Sequence, residues 1–251
     1  MEAEAFEDNF VVMHVNIRGL LGKLAELSAR IRLMPVKPQV VCINETWLDQ
    51  AAQDVPLEGY VEIARRDRVY GDDDRKCGGI MVLARADVAK RVTLLSHSKQ
   101  FERSWMLVHS DRGGYLLCAW YRPPCAGEVA SINALQEEIA EHSRFALGTV
   151  IVADCNVHQR SWLRFSSQGN TIEGARLWAV CNDLGLQQKV NKPTRGDNLL
   201  DLVLADVADV KCDVEVPVAD HAIVLVKMNL ALPKSRVVQR QVWDFKHIGM
   251  R

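Results

Sequence analysis

Thr149-Val150-Ile151-Val152-Ala153-Asp154-Cys155-Asn156 decides how this chain is read. The run from Thr149 to Ala153 is apolar and rich in β-branched residues, the composition of a buried strand. It stops at an acid and, two residues on, an amide. Residues two apart on an extended segment share a side, so Asp154 and Asn156 would face one place together. An Asx turn closing a loop fits the same three residues, so the pair gains meaning only in company. The company is there. Phe10 to Val15 is a β-rich run ended by Asn16, and Val40 to Ile43 leads directly into Asn44-Glu45-Thr46. Tyr115 to Tyr121 ends in Arg122-Pro123-Pro124, Asp201 sits inside the apolar run Leu199 to Leu204, and Asp220-His221 precedes Ile223 to Val226.

Between these runs lie helical patterns. Leu20, Leu24, Leu27 and Ile31 recur at helical spacing before Pro35 and Pro38. Ile132, Leu135 and Ile139 mark a second helix. Leu177, Cys181 and Leu184 mark a third, ended by Gly185. Tyr60 to Ile63, Ile80 to Ala84 and Trp105 to His109 read as further strands. Many strands mixed with three helices predict an α/β fold of two packed sheets with helices outside them, and function where strand ends converge on one edge. Arg65 to Lys76 reads as a solvated loop, its Asp72-Asp73-Asp74 as solvated acids rather than a cation site. The domain is expected to span 1–232. From Pro233 onward apolar periodicity fades and Lys and Arg rise, so 233–251 reads as a tail or linker.

With 251 residues, 48% of them hydrophobic, the chain can bury a sizeable core. A formal net charge of -1 excludes a global positive field, so any nucleic acid would be held by a local basic surface. The seven cysteines include no C-x-x-C pair, which points to small buried hydrophobes in a reducing compartment rather than zinc or disulfides. No apolar stretch is long enough to span a membrane. Met1 to Asp8 is acidic and lacks a signal-peptide pattern. An intracellular, soluble protein is expected.

The polar residues at the strand ends suit hydrolysis of a phosphate ester. That reaction needs an activated water, neutralised phosphoryl charge, a stabilised leaving oxygen and an in-line substrate. Glu45, fixed by the strand before it, is the natural ligand for Mg²⁺, which prefers hard oxygen donors; it reads equally as an acid at a helix N-terminus. Asp154 can orient or deprotonate water, and Asn156 can donate to a phosphate oxygen. Asp201 is expected to be buried and to need a partner; His221 is a sensible one, and could itself donate to a phosphate oxygen. Tyr121 and Arg122 offer a phenol and a guanidinium for phosphate, or an edge Tyr and a surface Arg. His14, His97, His109 and His142 are expected to be structural.

Taken in order, these segments resemble the endonuclease/exonuclease/phosphatase superfamily, and more closely the apurinic-type endonuclease domain of non-LTR retrotransposons. The resemblance rests on Asn16-Ile17-Arg18-Gly19-Leu20, Glu45-Thr46-Trp47-Leu48, Gly78-Gly79-Ile80, Tyr121-Arg122-Pro123-Pro124, Ala153-Asp154-Cys155-Asn156-Val157-His158, Pro193-Thr194-Arg195, Leu200-Asp201-Leu202-Val203-Leu204 and Asp220-His221. It implies a four-layer, DNase I-like α/β sandwich and a divalent metal, Mg²⁺ with Mn²⁺ as a substitute. Glu45 would be the main ligand, with Asn16 at the metal and Asp220 near it or its waters. Asp154, Asn156, Tyr121, His221 and Asp201 would form the catalytic set. Ala153, Cys155, Ala219 and Val15 depart from the usual Gly, Phe, Ser and Trp, but none removes a proposed catalytic group. The resemblance implies nicking of double-stranded chromosomal DNA, in the nucleus, to expose a 3′ hydroxyl that primes a reverse transcriptase in the same parent polypeptide. Arg18, Arg122, Arg160, Arg164, Lys192 and Arg195 are candidate DNA contacts from charge and nearness to the motifs. A phosphatase of the same fold acting on phosphoinositides or other small phosphate esters, or a catalytically inactive DNA-binding module, are the alternatives.

Overall fold

A computed structural model describes residues 9–49, 55–68, 77–144, 146–167 and 169–232. Met1 to Asp8, Asp72-Asp73-Asp74 and the 233–251 tail lie outside the described residues.

Strand β1 (Asn9–Asn16) sends alternate side chains into two separate cores. Val11, Met13 and Val15 pack with Leu20, Leu27 and Ile31 of helix α1 (Leu20–Leu33) on one face. Phe10 and Val12 face the other way, into a core shared with the second sheet. His14 and Asn16 continue that inner face, and both are fully buried. The same alternation divides β2 (Val40–Asn44): Val41 and Ile43 lie with α1, Val40 and Cys42 with the inner core. Each fully buried Val, Leu or Ile is worth about 1.5–3 kcal/mol over exposure, which offsets the cost of the polar groups carried on the same strands.

β2 runs parallel to β1, and β12 (Ile223–Asn229) runs antiparallel on the other side. With β3 (Tyr60–Arg66), β4 (Ile80–Arg85) and β11 (Val210–Glu215) they form a sheet of order β11-β12-β1-β2-β4-β3. The second sheet has the order β5-β6-β7-β8-β10-β9. Its strands are β5 (Val92–His97), β6 (Arg103–His109), β7 (Gly114–Tyr121), β8 (Thr149–Asp154), β9 (Gln187–Gln188) and β10 (Asp201–Ala205). Here β7 and β8 are the parallel pair. Helices α2 (Ala130–Ser143) and α3 (Ile172–Leu184) pack on this sheet through Ile132, Leu135, Leu177, Val180 and Cys181. The expected four layers are therefore present: α1, two mixed sheets, then α2 with α3.

All three helices fall where apolar spacing predicts them. Three strands, β5, β9 and β11, do not appear in the sequence reading. All three lie at the edge of a sheet, and β9 has only two residues. An edge strand is wet on one side, so β11 alternates buried or half-buried with exposed residues and carries Lys211, Asp213 and Glu215 instead of an apolar run. All seven cysteines are unbridged; Cys42, Cys118, Cys155 and Cys181 are buried, as expected of small hydrophobes, whereas Cys77 and Cys212 are half-buried and Cys125 is exposed. No helix among the described residues is long and apolar enough to cross a membrane.

Helix α2 is fixed to its sheet by a buried ion pair. Arg103 on β6 is fully buried; its Nε donates to Glu138 at 2.7 Å, and Nη1 donates to the Ser131 carbonyl at 2.9 Å. The guanidinium lies 5.0 Å from the Trp120 ring centre, and the Trp105 indole also donates to Glu138. Every charge-bearing group in that cluster has a partner, which is what burial of an ion pair requires.

Candidate active site

The carboxyl ends of β1, β2, β7 and β8 meet at one edge of the sandwich, joined there by the start of β10 and the turn before β12. Polar side chains of the first sheet cross to the second at this edge. Asn16 Nδ2 donates to Glu45 Oε1 at 2.8 Å and to Asp154 Oδ2 at 2.7 Å. Asn44 Nδ2 donates to the Trp120 carbonyl at 2.8 Å. One amide thus holds two carboxylates together across the two sheets.

Glu45 follows β2 at φ 54, a left-handed conformation rare for a side chain of this size. Its second oxygen accepts from Trp47 Nε1 at 3.0 Å, and Trp47 is itself at φ 55. Neighbouring backbone holds the turn: Gly19 N–H donates to the Glu45 carbonyl at 2.9 Å and Trp47 N–H to the Gly78 carbonyl at 3.0 Å. Gly79, at φ 89, comes so close to the Thr46 hydroxyl that no Cβ would fit. Arg18 and Asn156 are the other non-glycine residues with positive φ among those described, so all four lie at this edge. Such strain persists where surrounding structure over-determines it, and it concentrates at functional sites.

Asp154 is fully buried beside Asp201; its Oδ1 has no protein donor among the described residues. Burial first, then the charge of Asp201, raises its pKa. Asp201, equally buried, behaves oppositely. Burial alone would raise it, but hydrogen bonds from His14 and His221 hold it well below the usual carboxylate range. His221 Nδ1 donates to Asp201 Oδ2 at 2.8 Å. Burial would lower His221, yet the bond and the charge of Asp201 outweigh it and raise the imidazole to about 9. His221 is therefore protonated at neutral pH, with Nε2 left to act. Pro193-Thr194-Arg195 contributes to the same unit: Thr194 Oγ1 accepts from Leu200 N–H and Asp201 N–H, and its carbonyl accepts from Ala222 N–H, next to His221.

Tyr121, at the end of β7, has its phenol against Glu45, and burial together with Glu45 and Asp154 keeps it protonated. The Arg68 guanidinium lies 5.6 Å from its ring centre. Asn156 Nδ2 donates to the Arg122 carbonyl at 2.9 Å, and the residue lines a cavity of about 300 Å³ together with His158, Thr171, Glu173 and Arg195. Asp220 is at the rim, where Arg18 and Arg195 both donate to its Oδ2 at 2.8 Å. The structure brings Asn16, Glu45, Tyr121, Asp154, Asp201 and His221 together, with Asp220 at their edge.

The basic residues divide. Arg160, Arg164 and Lys192 are exposed, and Arg18 and Arg195 are about two-fifths exposed. Arg122 corrects the sequence reading. It is 1% exposed, and its guanidinium donates inward to the carbonyls of Cys125, Glu128, Cys155 and Asn156. It ties the loop after β7 to the loop after β8 and has no free face for DNA.

His14, expected to be structural, is fully buried, and it also donates from Nε2 to Asp201 Oδ1 at 3.1 Å, a contact the sequence reading did not name. The signal was available: His14 precedes Asn16 by two on a strand, so it shares the inner face.

Ligand atoms of Asp154, Asp201 and His221 lie within 4.8 Å of one another, close enough to hold a metal ion. Both Asp201 oxygens and His221 Nδ1 are already paired, however. The better fit for a hard divalent cation is the all-oxygen set of Glu45, Asn16 and Asp154, where the buried Asn16 Oδ1 and Asp154 Oδ1 have no protein partner among the described residues.

This two-sheet fold is that of the DNase I-like endonuclease/exonuclease/phosphatase proteins. A family model described as endonuclease-reverse transcriptase matches residues 115–225, the part carrying Tyr121, Asp154, Asn156, Asp201 and His221. Among solved structures, the endonuclease domain of TRAS1, a telomere-specific non-LTR retrotransposon, is 14% identical with a TM-score of 0.64, covering 88% of this chain and 99% of that one. The AP endonuclease LMAP from Leishmania major is 16% identical with a TM-score of 0.70, covering 91% of each chain. A 3′ phosphatase from Neisseria, bound to a product DNA hairpin, is 15% identical with a TM-score of 0.58, covering 86% and 98%. A sequence comparison with curated proteins finds no significant match. The likeness read from the sequence motifs and the fold it implied are thus both borne out.

Proposed function

We propose that this chain is a divalent-metal-dependent DNA endonuclease that hydrolyses a phosphodiester and leaves a 3′ hydroxyl. One observation carries the reading: Asn16 holds Glu45 and Asp154 together while the protonated His221, backed by Asp201, faces the same group.

Asp154, with its raised pKa, orients the attacking water and takes its proton. His221 Nε2 donates to a non-bridging phosphate oxygen as negative charge grows there. Tyr121, kept protonated by the acids around it, donates to the same phosphate. Asn156 is rigidly held by its strained backbone and positions the substrate. A Mg²⁺ ion at Glu45, Asn16 and Asp154 would supply the positive charge that offsets the phosphoryl and departing 3′ oxygens. Arg18 and Arg195, together with Arg160, Arg164 and Lys192, hold the DNA backbone as a local basic surface on a nearly neutral protein. Asp220 keeps Arg18 and Arg195 poised at the rim and would lie near the cation or its waters. The retrotransposon neighbour and the family description support a parent polypeptide with a reverse transcriptase; residues 233–251 would lead toward it, and chromosomal DNA in the nucleus would be its target.

Supercoiled plasmid incubated with the chain and Mg²⁺ should be converted to nicked circles with ligatable 3′ hydroxyls, and EDTA should stop it. Glu45→Ala and His221→Ala should each slow nicking by about a hundredfold or more. Phosphate release from inositol lipids without nicking would replace this reading with a phosphatase, and DNA binding without turnover would replace it with an inactive binding module.

A further inference from the structure

Asp201 is held from two sides, and only one of them belongs to the apparatus described above. His221 donates to Oδ2 from the turn before β12; His14 donates to Oδ1 from β1. We propose that His14 is a positioning residue: its Nε2–H fixes the Asp201 carboxylate plane across the two sheets, and through it the ring orientation of His221. The inference rests on the endonuclease reading for its catalytic consequence, but not for its geometry.

A carboxylate free to rotate about its Cβ–Cγ bond offers either oxygen to His221 and fixes no direction. A second donor on the opposite oxygen removes that freedom. An ionised carboxylate only accepts, so His14 carries its proton on Nε2. His14 Nδ1 is then a buried polar atom with no hydrogen-bond partner among the described residues. Leaving such an atom unpaired is unfavourable, so packing alone would be served better by an apolar residue. The fully buried His14 contacts Asp201 from a strand of the other sheet, so a shift of one sheet against the other would reach His221 through this bond.

The chemistry of the contact selects the test. The amide nitrogen of Gln stands as many bonds from Cα as Nε2 of His, whereas that of Asn stands where Nδ1 does. His14→Gln should therefore restore the donor, and His14→Asn should not. In plasmid nicking with Mg²⁺, His14→Asn should lower kcat roughly tenfold to a hundredfold, with little change in KM and with circular dichroism unchanged. His14→Gln should stay within about threefold of wild type, the size of ordinary variation between contexts. A second readout needs no activity: the downfield ¹H resonance of His221 Nδ1–H should shift or broaden in His14→Asn and persist in His14→Gln. Equal kcat and an unmoved resonance in His14→Asn would overturn the proposal, as would equal losses in both variants. If the wild type does not nick but the resonance responds as stated, the endonuclease reading fails and the positioning role stands.

Discussion

Asp154 and Asp201 are the same side chain, paired directly across β8 and β10, and the protein gives them opposite acidities. Asp154 shares an amide proton of Asn16 and keeps one oxygen unpartnered, so burial dominates. Asp201 accepts from two imidazoles, so pairing dominates. The pH profile should reflect this. Asp154 acts as a base only when ionised, and a Mg²⁺ ion held at its free oxygen would favour that form, so the acid limb of kcat/KM should move to lower pH as the Mg²⁺ concentration is raised. His221 acts only when protonated, so activity should fall as pH rises through about 9. His221→Gln should remove that upper limb. The stability consequence has the same sign. The folded pKa of His221 exceeds its ordinary 6.5, so its contribution is complete below 6.5 and is lost as pH approaches 9. Thermal melts in EDTA should show a larger drop in Tm between those two values for wild type than for His221→Gln.

At the scale of elements, two close packings hold the loops that carry the site. Gly174, in the first turn of α3, lies so near the His158 carbonyl that a Cβ has no room. Gly174→Ala must push α3 off the loop bearing Asn156 and His158, so it should destabilise by about 1–3 kcal/mol in chemical denaturation and lower nicking as well. The Arg103–Glu138 pair holds α2 to β6. Glu138→Ala would leave a buried guanidinium without its anion and should cost about 3–5 kcal/mol. Arg103 and hydrogen bonds from Ser98 and Trp105 overcome the effect of burial to lower the Glu138 pKa, so this stability is present above its ordinary value of 4.5 and lost on acidification. At this scale the strand ends were plain in the sequence because apolar runs stop where polar residues begin. β5, β9 and β11 were hidden because edge position relaxes that pattern.

For the whole molecule, a net charge of -1 means that DNA affinity must come from a few cations on one surface. Binding should weaken steeply with salt, and Arg160→Ala, Arg164→Ala and Lys192→Ala should each lower the slope of log K against log salt by about one if each side chain neutralises one phosphate. Arg122→Ala should leave that slope unchanged and reduce stability instead, because the guanidinium is enclosed by backbone carbonyls. Fluorescence anisotropy over a salt series, beside denaturation curves, separates the two classes.

The sequence by itself determined the α/β class, the three helices and the order of polar residues at strand ends, because periodicity and the abrupt end of an apolar run are local properties. It also singled out Glu45, Asp154, Asp201 and His221, since an acid or imidazole at such a boundary stands out along the chain. Only the tertiary structure decided which of them touch. Whether an arginine faces solvent or a ring of carbonyls, and whether a histidine on β1 meets an aspartate on β10, depends on the register of two sheets whose strands lie 187 residues apart along the chain. Strand periodicity gives a side chain its face; only sheet packing gives it a partner.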